Sequence, residues 1–238
     1  MKFSASIFAI ILILSSATFA EKKQEGKKEF SVLCKVFLGT DEKANTEILG
    51  EVKRITEAKK HSIHTIIFPA AIQNDKGVQD EIKMYNVATF PALIIDEKIL
   101  DKTTDLGKTV EEASKIDRVI LTPHLEKDVD EKKNLIATCY ICCFIEGQSV
   151  ENGRLMVYAV DETPQKDGCV SSIFKTLIVD NREYNIESAS CHAPKTFYWP
   201  IPQDTDPKYI KLIMIAYDGK GKILGTCCSS ECSEIPKD

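Results

Sequence analysis

The chain has 238 residues, of which 43% are apolar and 28% charged, with 31 basic against 36 acidic side chains. This composition is that of an ordinary globular protein, and it excludes a disordered or low-complexity chain. The formal charge of −5 argues against general binding to nucleic acid or to anionic membranes, because clustered lysine and arginine carry that affinity. We therefore expect no nucleic-acid partner.

Residues 1–20 have the pattern of a secretory signal peptide. Lys2 precedes an apolar run over residues 7–14, and small residues lead to a cleavage point after Ala20. The alternative is an uncleaved anchor, but the run is shorter than the roughly 20 apolar residues that span a bilayer. We expect cleavage, export, and no stable membrane insertion afterwards. The final residues, 234–238, contain no retrieval signal of the Lys-Asp-Glu-Leu type.

A charged, flexible leader is expected over residues 21–28, and a mixed α/β domain over residues 29–122. Apolar residues alternate there between strand-like and helical spacing. The predicted elements are strands at 30–38, 63–68 and 87–95, a hairpin strand at 98–100, and helices at 45–60, 79–85 and 106–121.

Two segments of this domain resemble the thioredoxin-like superfamily. Residues 84–95 combine a tyrosine-containing helix end, the Phe90-Pro91 step and an apolar strand, and residues 48–52 are similar to the family's long helix after its active site. The resemblance implies a cis peptide bond before Pro91. It also implies that the residue before this proline binds extended polypeptide through its backbone.

The sequence departs from that family at the redox site. The Cys-x-x-Cys position falls near residues 39–42, which contain no cysteine. A thioredoxin needs a thiolate at this helix N-terminus. Cys34 comes too early, in the preceding strand, and is expected to be a buried small hydrophobe. We therefore predict a redox-inactive domain without catalytic residues, whose candidate ligand-binding residues are Phe90, Pro91, Thr40 and Asp41; alternatively, Phe90 simply packs.

The second half of the chain is predicted to be all β. A charged linker is expected at 123–133, followed by a cysteine-rich β-sandwich over 134–238 and an irregular loop at 193–207. The overall prediction is thus a two-domain α+β protein. The predicted strands of the second half are 135–145, 155–160, 172–179, 183–188, 208–217 and 222–226, with turns at 151–153, 166–168, 180–182 and 218–221.

Eight of the nine cysteines lie in the second half, and export favours disulfide bonds over a metal site. Cys139 and Cys142 lie three positions apart in a predicted strand, hence on opposite faces, which argues against a shared zinc ion. We expect the first cysteine cluster to pair with the last, and Cys169 with Cys191, although other connectivities stay open. The odd total leaves an intermolecular bridge open. The predicted disulfide cysteines are Cys139, Cys142, Cys143, Cys169, Cys191, Cys227, Cys228 and Cys232.

These patterns predict an exported, noncatalytic binding or scaffold protein for a protein or peptide ligand, without a cofactor or metal. Two other functions stay open. One is a thiol-disulfide oxidoreductase or isomerase that uses Cys139 with Cys142, or the adjacent Cys227 and Cys228, which would have to be reactive. The other is a secreted metal-binding protein, whose fold a chelator would destabilise.

Overall fold

The structure is a computed structural model of the chain. Cys169, Cys232 and the predicted signal peptide and leader lie outside the residues that it describes. The described residues are 31–58, 60–101, 104–116, 120–129, 134–144, 150–164, 172–186, 191–200 and 205–229.

Strands and helices alternate in the first half, and strands alone follow. The first half contains β1 (Val32–Phe37), α1 (Glu42–Glu57), β2 (Ile63–Phe68), α2 (Lys76–Met84), β3 (Ala92–Ile95), β4 (Lys98–Leu100) and α3 (Leu106–Ser114). The second contains β5 (Ile120–Val129), β6 (Asn134–Phe144), β7 (Val150–Asp161), β8 (Ile173–Ile186), β9 (Cys191–Pro200), β10 (Ile210–Tyr217) and β11 (Ile223–Cys228). Short 3-10 helices lie at Ala70–Ile72 and Pro207–Tyr209.

Strands from both halves of the chain belong to one mixed sheet, so the fold is α+β. Its eight strands run in the order β11-β10-β7-β8-β2-β1-β3-β4, and a second sheet has the order β5-β6-β9. The two halves meet where β2 pairs with β8 in parallel, with Ile67 opposite Ile173. There the Ile67 N–H donates to the Ser172 carbonyl at 2.8 Å. The second half is therefore divided between two sheets, whereas the sequence predicted one separate sandwich.

The predicted linker at 123–133 is wrong over its described part. The helix predicted to reach residue 121 ends at Ser114, and Ile120–Val129 forms β5. The sequence predicted a linker because residues 121–124, which include Pro123, indicated a helix end and residues 125–133 are rich in charge. An edge strand tolerates proline, however, and β5 is an edge of the three-stranded sheet.

Three further segments are strands where the sequence indicated a turn or a loop. The predicted turn at 151–153 lies inside β7, where Gly153 pairs with Tyr184 of β8. The predicted turn at 180–182 lies inside β8, because β7 pairs along it with Met156 opposite Asp180. The predicted irregular loop at 193–207 contains most of β9, with Pro194 and Pro200. Again the strand is an edge, which accommodates its prolines.

The eight-stranded sheet has an apolar core on each face, and β1 contributes alternate residues to both. Leu33 and Phe37 belong to the core that contains Val78 of α2, together with residues of β7 and β10. Val32, Cys34 and Val36 belong to the core that α1 and α3 cover. None of the helices in the described residues is long and apolar enough to cross a membrane.

Candidate functional site

The segment that joins β1 to α1 occupies the position where the resemblance places redox cysteines. Asp41 is the N-cap of α1, and its side chain accepts the N–H groups of Lys43 at 3.0 Å and Ala44 at 3.1 Å. A carboxylate therefore satisfies amides at this helix start. Thr40 and Asp41 are both exposed.

Side-chain amides fix the backbone just before this helix. The Gly39 N–H donates to Asn45 Oδ1 at 2.9 Å, and Asn45 Nδ2 donates to the Gly39 carbonyl at 2.8 Å. Gln73 Nε2 donates to the Leu38 carbonyl at 2.6 Å. The loop is thus bonded on both sides, which gives it a defined position against its neighbours.

Gly39 lies directly against Phe90. A Cβ atom at Gly39 would be 3.0 Å from Phe90 Cβ and 3.2 Å from the Phe90 carbonyl carbon, so glycine permits this close approach. The peptide bond between Phe90 and Pro91 is cis, as the resemblance implied. The structure therefore brings the loop that contains Thr40 and Asp41 next to the Phe90-Pro91 step.

Phe90 is partly exposed and has backbone polar groups that need a partner. The residue is 37% exposed, so the alternative that it simply packs holds for only part of it. Within the described part of the chain, the Phe90 N–H and carbonyl make no hydrogen bond. These groups can pair with an extended polypeptide, as the strand edges of peptide-binding domains do.

A groove of about 400 Å³ begins at Pro91 and lies between α1 and the start of α3. Its floor is apolar and its rim is acidic. We call it the acidic groove. Its floor consists of Ile48, Pro91, Leu93, Leu100 and Leu106, and its rim carries Glu47, Glu51, Asp101 and Asp105.

Cys34 is not placed to act as a nucleophile at the candidate site. Its side chain is fully buried in the core under α1 and α3. Burial, reinforced by the negative charge of Asp96, raises the pKa of the Cys34 thiol from 9.0 to about 12. The thiol is therefore protonated and shielded at neutral pH.

A buried polar cluster lies on the other face of β1, and the sequence patterns did not predict it. Lys35 is fully buried and forms an ion pair with Glu81 of α2. Lys35 Nζ donates to the hydroxyls of Tyr158 at 3.2 Å and Tyr217 at 3.3 Å, and it lies 4.8 Å from the ring centroid of Tyr85. We call these five residues the Lys35 cluster.

Every polar group of the Lys35 cluster has a partner. The Tyr158 hydroxyl donates to the other oxygen of the Glu81 carboxylate, and the Tyr85 and Tyr217 hydroxyls lie 3.2 Å apart. Burial and the charge of Glu81 raise the pKa of Tyr158, which keeps this hydroxyl protonated. A lone lysine within an apolar strand was the one available signal, but its partners are 46 to 182 positions away.

The described cysteines of the second half lie in three strands. Cys227 is half-buried and Cys228 is buried, both in β11. β6 contains Cys139, Cys142 and Cys143, and its register with β9 places Cys142 directly opposite Cys191. No group of three histidine, cysteine or acidic residues within the described ranges is placed to hold a metal ion.

Comparison of the sequence with protein-family models finds no match, and neither does comparison with curated proteins. Among solved structures, the chain is similar to HBP35 of Porphyromonas gingivalis, with 10% sequence identity and a TM-score of 0.61. The similarity covers 90% of this chain and 80% of that one. At this identity the likeness concerns the fold alone.

Proposed function

We propose that this is an exported, noncatalytic protein that binds a protein or peptide through a redox-inactive thioredoxin-like domain. In this proposal, disulfide bonds stabilise the β strands of the second half of the chain. The observation that carries the proposal is the close approach of Gly39 to Phe90. It places an exposed aromatic residue with unpaired backbone groups beside a helix start that has no thiol.

The strand order supports the thioredoxin-like assignment. β1, α1, β2, α2, the β3–β4 hairpin and α3 follow one another as the resemblance implies. β1 pairs with β2 in parallel and with β3 in antiparallel orientation. The hairpin turns at Asp96 and Glu97, as the sequence predicted.

The chemistry of the helix start supports a noncatalytic role. Disulfide exchange needs a nucleophilic thiolate, and Asp41 occupies the capping position instead. The nearest cysteine along the chain, Cys34, is buried in the core with a raised pKa. The described geometry therefore favours binding over exchange at this site.

Peptide binding is tested with an array of immobilised extended peptides and the mature chain. We expect a subset of peptides to bind, and Phe90→Ser to lower their signal several-fold. Ile116→Ser is the matched control, because Ile116 is also an exposed apolar residue but follows the end of α3 and does not line the acidic groove. Equal signals for wild type and both variants would contradict the proposal.

The oxidoreductase alternative is tested by the reduction of insulin with dithiothreitol as electron donor. We expect no acceleration above the uncatalysed rate. Acceleration that disappears in a Cys227→Ser/Cys228→Ser variant would instead assign the protein to the thiol-disulfide oxidoreductases.

A further inference from the structure

The acidic groove has a composition that points to one kind of occupant. Its floor presents five apolar residues, of which Ile48, Pro91 and Leu100 are only half-buried. Its volume of about 400 Å³ lies within the range of sites that enclose a small ligand or a few side chains, roughly 300–1,000 Å³. An apolar side chain inserted there would bury surface that water now covers.

The charges around this floor are predominantly negative. Glu47 and Glu51 lie one turn apart on α1, and Asp101 and Asp105 lie between β4 and α3. Arg54 is the one basic residue among the described groove residues, and Glu51 binds its guanidinium at 2.9 Å and 3.2 Å. The described residues of the rim therefore carry more carboxylates than cations, and a cationic ligand would complement them.

The groove is continuous with the proposed peptide site, because Pro91 lines it and directly follows Phe90. A chain held at the Phe90 backbone would have its neighbouring side chains at the groove entrance. We infer that the acidic groove binds an apolar side chain of a partner polypeptide that is flanked by lysine or arginine. This inference rests on the proposed function and specifies the ligand of the same site.

Fluorescence anisotropy tests the inference with a labelled, extended peptide of alternating leucine and lysine. A second peptide has glutamate in place of lysine. We expect the full-length wild-type protein to bind the lysine peptide and not the glutamate peptide. Raising the salt concentration should weaken binding, because exposed charges are screened.

Two pairs of variants locate the binding. Glu47→Gln/Glu51→Gln should lower the affinity for the lysine peptide about five-fold, since exposed ion pairs contribute modestly to binding free energy. Its control, Glu57→Gln/Glu112→Gln, removes one exposed carboxylate from α1 and one from α3, both outside the groove, and should leave affinity unchanged. Leu100→Asn should weaken binding about ten-fold, whereas Ile99→Asn, its exposed neighbour on β4, should not.

The outcomes separate this inference from the proposed function. Lysine-peptide binding that falls in Phe90→Ser but not in the groove variants overturns the inference and leaves the proposed function standing. Equal loss of affinity in the groove variants and their controls also overturns the inference, because the lysine peptide is then attracted only by the net negative charge of the protein. If the groove variants dissociate a dimer in sedimentation equilibrium, the occupant is a second copy of the chain and the inference is wrong. Absence of binding by every extended peptide contradicts both.

Discussion

Lys35 Nζ and the Tyr217 hydroxyl lie 3.3 Å apart, although 182 positions separate the two residues in the chain. This contact joins β1 to β10 across the core on one face of the eight-stranded sheet. Glu97 of the β3–β4 turn makes a second connection, since its carboxylate accepts the Ile223 N–H. The two halves of the chain therefore share the Lys35 cluster and the apolar core around it.

Removing either charge of the buried pair should destabilise the protein strongly. We expect Lys35→Met and Glu81→Leu each to lower the free energy of unfolding by about 3–5 kcal/mol, because each leaves an uncompensated buried charge. The double variant should lose much less unfolding free energy than the sum of the two single losses. Urea denaturation of all four proteins measures this coupling. Additive losses would mean that the two groups do not interact in the folded protein.

The buried thiol of Cys34 should make stability fall at alkaline pH. Its pKa is raised from 9.0 to about 12 in the folded protein, so the stabilising contribution is complete below pH 9.0 and is lost as pH rises toward 12. The slope from this group reaches about 1.4 kcal/mol per pH unit.

Comparison with Cys34→Ala isolates this effect, because Tyr158 and Tyr217 titrate in both proteins. Urea unfolding at a series of pH values should give a shallower alkaline decline for the variant. Identical declines would contradict the burial of the ionisable thiol.

The Gly39 loop should tolerate no side chain. Gly39→Ala would place a methyl group 3.0 Å from Phe90 Cβ, so we expect Phe90 to be displaced and peptide binding to weaken. Asn45→Ala removes both hydrogen bonds to Gly39 and should cost about 1–3 kcal/mol of stability. Thermal unfolding measures the stability of these variants. Gly50→Ala is the control, because nothing lies within 4 Å of its added Cβ. A Gly39→Ala protein that binds peptide like wild type would refute this role of the loop.

The register of β6 and β9 offers Cys142 as an alternative partner for Cys191, because the two residues lie opposite each other in the ladder. We propose that oxidation of the exported protein joins them, since opposite residues of antiparallel strands generally have Cα atoms about 4.5–5.5 Å apart, within the span of a disulfide. The sequence had paired Cys191 with Cys169, which lies outside the described residues. Mass-spectrometric mapping of the nonreduced protein decides between the two bridges, and a Cys169–Cys191 peptide would exclude the pairing proposed from the register.

Local patterns predicted the first half of the fold well, because its elements follow from short-range signals. The apolar spacing around Ile48 and Val52 indicated α1, and the Asp96-Glu97 turn indicated the hairpin. The pairing of Ile67 with Ile173 has no local signal, since it joins positions more than a hundred residues apart. The prolines of β5 and β9 suggested a helix end and an irregular loop, because only the sheet topology shows that these two strands are edges.

Part of the candidate site was likewise predictable from the sequence, and part was not. Phe90, Pro91, Thr40 and Asp41 could be selected because the family resemblance aligns them in sequence. The acidic groove could not, since its rim combines a helix face at Glu47 and Glu51 with a loop fifty residues later. The burial of Lys35 was equally inaccessible, because its compensating groups come from α2, β7 and β10.

Amide chemical-shift mapping locates the bound peptide on the protein. Isotope-labelled mature protein is titrated with a peptide selected on the array. We expect the largest shifts at Gly39, Thr40 and Phe90 and at the side-chain amide of Asn45, with no thiol consumed. Shifts confined to other parts of the chain, such as the turn of Asp218 and Gly219, would contradict a binding site at Phe90.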